Sequence, residues 1–363
     1  MKRVCSLLLT LCLLLGLAAC GTATESSSPE PDDPNAYLSD LFRGIYKLEE
    51  RDGAYGEAKI GGGSFVPMRF SHERLDAYET YNRTAKIQAP YFNCTTGVRM
   101  DFYTDAAEIS FRFSVLENFF DGSPTHPVDS FDIYEDGVYQ TSVPVKHGAN
   151  DTLTYARKST GSESRLTVTF PNRHGISLSS ISLGNTRPYT DYDHKILILG
   201  ASTDQGLFAD KPSDNYVDTV CRELNADFMN LSVGGEIYRA DAIDENVPFD
   251  PDLILVDLDG NTYYGGTPES ELPDLVKGYL TKLQSVYPDT AITVLSSIRD
   301  NKPASWTQTL KTAALNCGVN FIQGSTLLDQ TADNFNPDLV HPNSKGFALI
   351  TQNILPLIRE QLQ

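Results

Sequence analysis

"KILILGASTDQG", Lys195–Gly206, runs four apolar residues into a turn of small and polar ones that carries Ser202. A short, unbroken apolar run reads as a strand covered on both faces, the pattern of a parallel sheet. The pattern repeats downstream. Strand-like runs at Asp227–Leu231, Leu253–Leu258, Ala291–Leu295 and Val319–Ile322 alternate with helical periods near Tyr216–Leu224, Glu269–Val286, Ser305–Leu315 and Ser344–Leu362. This alternation predicts an α/β fold over residues 193–363, a flavodoxin-like three-layer sandwich around a five-stranded parallel sheet. Ligands of such sheets collect at the carboxyl ends of the strands. Ser202 follows the end of the first strand, between Gly200 and Gly206, and so belongs to that edge.

Upstream the period is two. In "AEISFRFSVL" the apolar positions Ile109, Phe111, Phe113 and Val115 alternate with polar ones, as do Leu166, Val168 and Phe170 in "SRLTVTF". "FDIYEDGVYQ" brings Phe131 and Ile133 into an Asp136-Gly137 hairpin turn. Short strands, frequent turns and almost no helical period predict a β-sandwich or jelly roll over residues 37–187, with the change of character near Pro188–Tyr192.

The front of the chain is different again. "MKRVCSLLLTLCLLLGLAAC" has a basic start, an apolar stretch too short to span a bilayer, and small residues before Cys20, so residues 1–19 read as an export signal. The ending resembles the lipobox of bacterial lipoproteins, which implies lipidation at Cys20 and an extracytoplasmic protein attached to the cell membrane by its lipid anchor alone. Residues 20–36, polar and proline-rich, read as a disordered tether. The formal charge is −19, or about −21 once Lys2 and Arg3 leave, which excludes nucleic acid as a partner and favours a neutral substrate. Cys94, Cys221 and Cys317 are an odd set at no metal-like spacing, and no metal is expected.

A serine hydroxyl is a weak nucleophile until a base takes its proton, and that base is usually histidine. Within 193–363 the histidines are His194, at the wrong end of the first strand, and His341, in the loop "FNPDLVHPNSKG" before the last helix. Asp338, three residues before His341, is placed to hold one imidazole nitrogen while the other faces Ser202. The same segment also reads as a turn and helix cap, through Asn343 or Ser344. "GAS" after the first strand and "DLVHPNSKG" near the end resemble the two signature blocks of the SGNH (GDSL-type) hydrolases, serine esterases and acylhydrolases that need no cofactor. The stretch before 193 is similar, more loosely, to a module that precedes the hydrolase in one branch of that family, where a segment like "FDIYEDG" occurs.

The resemblance implies an oxyanion hole made of the Ser202 N–H, an N–H from the loop after the second strand, and the Asn261 amide. In "NLSVGGEI" the second donor is expected at Ser232, where the family has glycine. If that backbone needs positive φ, Gly234 or Gly235 takes its place. Ala201 replaces the family's usual aspartate before the nucleophile. Tyr263 and Tyr264 are expected as an aromatic lip for sugar faces, or as packed loop tyrosines, and Trp306 as the anchor of its helix. The expected function is a lipid-anchored serine carboxylic-ester hydrolase, a carbohydrate esterase removing acyl (for instance acetyl) groups from a small-molecule or polysaccharide ester. The alternative is a catalytically inactive glycan-binding lipoprotein on an SGNH scaffold.

Overall fold

The computed structural model describes residues 34–51, 63–82, 89–118, 129–146, 148–159 and 161–363. Residues 1–33, with the expected signal, Cys20 and most of the tether, lie outside the described residues. No described helix is long and apolar enough to cross a membrane.

From His194 onward, five parallel strands make one sheet: β1 (His194–Leu199), β2 (Ala226–Asn230), β3 (Leu253–Val256), β4 (Ala291–Leu295) and β5 (Asn320–Ile322). Their spatial order is β2-β1-β3-β4-β5. The helices are α1 (Tyr216–Glu223), α2 (Asp259–Tyr264), α3 (Leu272–Val286), α4 (Ala304–Asn316) and α5 (Ser344–Gln361). Alternate strand residues feed two cores. Leu197, Ile254, Val256 and Val294 pack with Leu280, Leu283 and Trp306 of α3 and α4. Ile196, Ile198, Leu253 and Leu255 pack with Val217, Val220, Ile350 and Ile354 of α1 and α5. With both faces covered, the middle positions of β1, β3 and β4 are buried, which is why these strands read as unbroken apolar runs. The expected α/β fold with a five-stranded parallel sheet is therefore present. The third strand stops at Val256, two residues earlier than expected, and the short helix α2 follows where a loop was expected.

Residues before 190 form two antiparallel sheets. One orders Phe42–Arg43, Arg99–Thr104, Ser164–Thr169, Ser130–Glu135 and Val138–Pro144, with Thr186–Pro188 also on Arg99–Thr104. The other orders Lys47–Arg51, Ser64–Met68, His174–Ser182, Glu108–Asn118 and Asn150–Ala156. Apolar residues of both sheets share one cluster, in which Phe111, Phe113, Phe131 and Phe170 meet edge-on or stacked with centroids 5.0–6.5 Å apart. The hairpin turns at Asp136 (φ 50) and Gly137 (φ 77), left-handed at both positions as a two-residue turn requires. An eleven-residue helix, His72–Asn82, interrupts the strands and was not foreseen. Its inward side is carried by Arg74 and Tyr78, so it leaves no apolar stripe in the sequence.

Buried polar bonds tie the two halves together. Arg99 Nη2 meets Asp227 Oδ1 at 2.6 Å. In the hairpin, Asp132 Oδ2 accepts the Ser213 N–H at 2.9 Å and the Tyr134 hydroxyl donates to Ser213 Oγ at 2.9 Å.

Candidate active site

Leu199 ends β1, and the chain turns at Gly200, where a Cβ would run into the Asp204 carboxyl. Asp204 is fully buried; its Oδ2 accepts the Ala201 N–H at 2.9 Å and its Oδ1 accepts the Tyr216 hydroxyl. Burial raises the Asp204 carboxyl to about 6 against the pull of those two donors. The Gln205 N–H bonds to the Ala201 carbonyl at 3.0 Å, closing a tight loop that lifts Ser202 to the surface of the sheet edge.

The second half of the site comes from the loop before α5. A bridge between Phe335 and Pro342, with the Asn336 N–H on the His341 carbonyl at 2.8 Å, pinches this loop. Inside it Leu339 takes φ 56, a left-handed conformation uncommon for a side chain of its kind. The turn places Asp338 Oδ1 against the backbone N–H groups of Val340 (2.9 Å) and His341 (3.0 Å). Asp338 Oδ2 lies 2.7 Å from His341 Nδ1, and His341 Nε2 lies 2.7 Å from Ser202 Oγ. Burial opposes the Asp338 charge, but the bonds from His341 and the two backbone N–H groups outweigh it and hold the carboxyl at about 2. An ionised Asp338 only accepts, so His341 Nδ1 carries the proton and Nε2 is free to receive one from the Ser202 hydroxyl. Phe208 stacks on the imidazole at 4.1 Å and fixes its plane. Asn343 caps α5 by accepting the Gly346 N–H at 3.0 Å, so the loop serves as helix cap and as holder of His341 together.

The loop after β2 places Ser232 away from the cavity. The Ser232 N–H is spent on Asn230 Oδ1 at 3.0 Å, and the residue is buried away from the cavity. Three residues on, Gly235 lines the cavity with φ 89, and its N–H bonds to no other described residue. A positive φ is open to glycine at little cost, so the turn brings Gly235, not Ser232, to the cavity. Ser202 and Asn261 also line this cavity, and neither the Ser202 N–H nor the Asn261 side-chain amide bonds to another described residue. The tyrosine pair divides. Tyr264 lines the cavity and bonds Asn301, whereas Tyr263 turns inward, edge-on to Trp306 at 5.1 Å. Trp306 is buried, with Nε1 on Asp259 Oδ1 at 2.6 Å, and holds the first turn of α4 against α2.

Several residues of the site carry no sequence signal. Gln205, fully buried, accepts the Gly234 N–H on Oε1 at 2.6 Å and donates from Nε2 to the Tyr91 carbonyl at 2.7 Å. Arg69, also buried, donates to the carbonyls of Tyr91 (3.1 Å), Cys94 (2.9 Å), Asn230 (2.8 Å) and Ser232 (3.1 Å). Tyr91, from the N-terminal half, forms part of the cavity wall. Asp257, just past β3, lies in the floor, its carboxyl pushed well up by burial and by the neighbouring Asp204 and Asp259. The cavity holds about 480 Å³, enough for a sugar ring and its acyl group. Among the described residues no group of three or more His, Cys, Asp or Glu is arranged to hold a metal ion.

By sequence, no family model matches the chain and no curated protein is similar to it. Solved structures do share its fold. The salicylyl-acyltransferase SsfX3 from a tetracycline biosynthetic pathway is 20% identical, with a TM-score of 0.72 over 92% of this chain and 98% of the other. A protein described as a GDSL-like lipase, from Bacteroides ovatus, is 20% identical, with a TM-score of 0.64 over 90% and 96%. A family two carbohydrate esterase from Clostridium thermocellum, solved with cellohexaose, is 13% identical, with a TM-score of 0.55 over 73% and 92%. The first two likenesses extend over nearly the whole chain, so the antiparallel sheets and the parallel sheet recur together in them.

Proposed function

We propose that the protein is a serine esterase of the SGNH type acting on carbohydrate esters outside the cytoplasm. The observation that carries this reading is the unbroken chain from Ser202 Oγ to His341 Nε2 and from His341 Nδ1 to Asp338 Oδ2, each 2.7 Å long. As His341 takes the hydroxyl proton, Ser202 Oγ attacks the ester carbonyl. The oxyanion that forms is met by the N–H groups of Ser202 and Gly235 and by the Asn261 amide. Asp338 stabilises the imidazolium, which then returns its proton to the departing alcohol. Water, activated by the same histidine, releases the acid and restores Ser202.

The sugar preference draws on the size and openness of the cavity, on Tyr264 at its rim, and on neighbours named as carbohydrate esterases. We read the two antiparallel sheets as a β-sandwich module over 37–187, joined to a hydrolase domain at 193–363. Residues 1–36 we read as lipoprotein signal and tether, with Cys20 as the lipid site. The inactive glycan-binding alternative rested on Ser232 and Ala201. Gly235 offers the donor that Ser232 does not, and Asp204 engages the backbone at Ala201, so both arguments weaken.

Ser202→Ala is expected to lower p-nitrophenyl acetate hydrolysis at least about a thousandfold. Wild type is expected to be labelled at Ser202 by a fluorophosphonate, which reacts with activated serines. Undiminished hydrolysis by the variant, or no labelling of wild type, would sink the assignment.

A further inference from the structure

The loop after β4 contributes Ser297, Ile298 and Arg299 to the wall of the same cavity. Arg299 is the only lysine or arginine among the lining residues. Its guanidinium lies 4.6 Å over the Phe335 ring, which fixes its position. It pairs with no described carboxylate: its Nη1 reaches Gln330 Oε1 at a long 3.4 Å, and its buried Nε bonds to nothing described. The Gln330 amide is itself anchored to the Ile298 carbonyl at 3.0 Å and the Leu328 carbonyl at 2.9 Å, so the loop that presents Arg299 is held in place.

An arginine that is half-buried, held by packing and left without an anion is poised to take one from a ligand, because a guanidinium presents a planar fork of donors to a carboxylate. The carboxyls of the cavity do not compete for it. Asp338 is committed to His341, Asp204 to the Ala201 N–H and the Tyr216 hydroxyl, and burial favours the neutral form of Asp257. Tyr264, whose hydroxyl bonds Asn301, lines the same cavity as Arg299.

We propose that Arg299 forms an anion subsite, so that the preferred substrates are esters carrying a negative group, such as a carboxylate, on the sugar or on the acyl chain. This rests on the esterase reading given above and reverses the neutral substrate expected from the acidic composition. The net charge of the chain sets the far field, but a single unpaired guanidinium inside the cavity sets the near one.

Two matched pairs of esters test it. The first pair compares the acetyl ester of a methyl glucuronide with that of a methyl glucoside, which places the charge on the sugar. The second compares the succinyl and acetyl esters of the methyl glucoside, which places it on the acyl group. In at least one pair the charged member is expected to have about a tenfold higher kcat/KM at low salt. That ratio should fall as salt is added, drop to about one in Arg299→Gln, and be partly restored in Arg299→Lys. The pair that responds identifies which side of the ester carries the anion. Ratios at or below one in both wild-type pairs, or a preference that survives in Arg299→Gln, would overturn the subsite.

Binding of methyl glucuronide and methyl glucoside to the Ser202→Ala protein separates this proposal from the esterase reading. Arg299-dependent preference for the glucuronide without turnover of any ester leaves the subsite standing and removes the esterase. Turnover of the neutral esters without charge preference does the reverse.

Discussion

At the scale of single residues, the difference between Ser232 and Gly235 has measurable consequences. Gly235 and Asn261 line the cavity, and the proposed reaction uses the Gly235 N–H and the Asn261 amide as oxyanion donors, whereas the Ser232 N–H is bonded to Asn230. Asn261→Ala should therefore lower kcat about a hundredfold or more with little change in KM, since the donor acts on the transition state more than on the bound ester. Steady-state kinetics on a soluble ester reads this directly. Ser232→Ala should leave kcat within about twofold of wild type. It should also raise stability by about 1 kcal/mol, because the Ser232 hydroxyl is buried and unpartnered. A hundredfold loss in Ser232→Ala would return the oxyanion role to that position. The pairing of Ser202 with Asp338 and His341 was legible in the sequence because few histidines compete and the strand order assigns one to the reactive edge. The choice of Gly235 was not, because it depends on where the backbone turns.

At the scale of elements, α1 is capped by Asn215, whose side chain accepts the Asp218 N–H at 3.0 Å and donates to Asp218 Oδ2 at 2.6 Å. Burial raises the Asp218 carboxyl to about 6, with the Asn215 amide and Arg99 pulling the other way. In the unfolded chain the same group titrates near about 4. A raised folded value means that this group favours the fold below about pH 4 and that the contribution is lost as pH rises through about 6. Asp218→Asn does not titrate. Its melting temperature relative to wild type should therefore become more positive, by a few degrees, between pH 4.5 and pH 8. Melting curves at the two pH values check this, and a difference that does not change with pH would contradict it. The strands and helices of the parallel-sheet half were readable because each buries a regular apolar face. The helix at His72–Asn82 was not, because tertiary contacts make Arg74 and Tyr78 its inward side, a choice no local pattern announces.

At the scale of the whole molecule, the antiparallel half is built into the candidate site. Arg69, just past the strand at Ser64–Met68, reaches four carbonyls, two on its own side, one at the end of β2 and one in the loop after it that leads to Gly235. Gln205 links the nucleophile turn to the Gly234 N–H and to the Tyr91 carbonyl. Arg173 Nη1 donates to the Leu207 carbonyl at 3.1 Å, bracing the far end of the nucleophile loop. Removing the Arg69 guanidinium would leave buried carbonyls without donors, each worth about 1–3 kcal/mol. Arg69→Met should therefore cost about 3 kcal/mol or more in denaturant unfolding and lower kcat through the displaced oxyanion loop. A midpoint equal to that of wild type would show that the two halves are not joined there.

The sequence by itself determined the parallel sheet, the edge on which the chemistry sits, and the serine, aspartate and histidine that meet on it. These follow from local apolar periods and from a topological rule that links strand direction to ligand position. Only the tertiary structure decided that Gly235 lines the cavity, that Tyr263 packs inward against Trp306, that Tyr91 comes from the other half to form part of the wall, and that Arg299 lines the cavity without a described carboxylate partner. Those outcomes depend on backbone paths and on contacts between residues far apart in the chain. Periodicity describes only what one element does with its own faces, and it holds no information about which distant groups will meet.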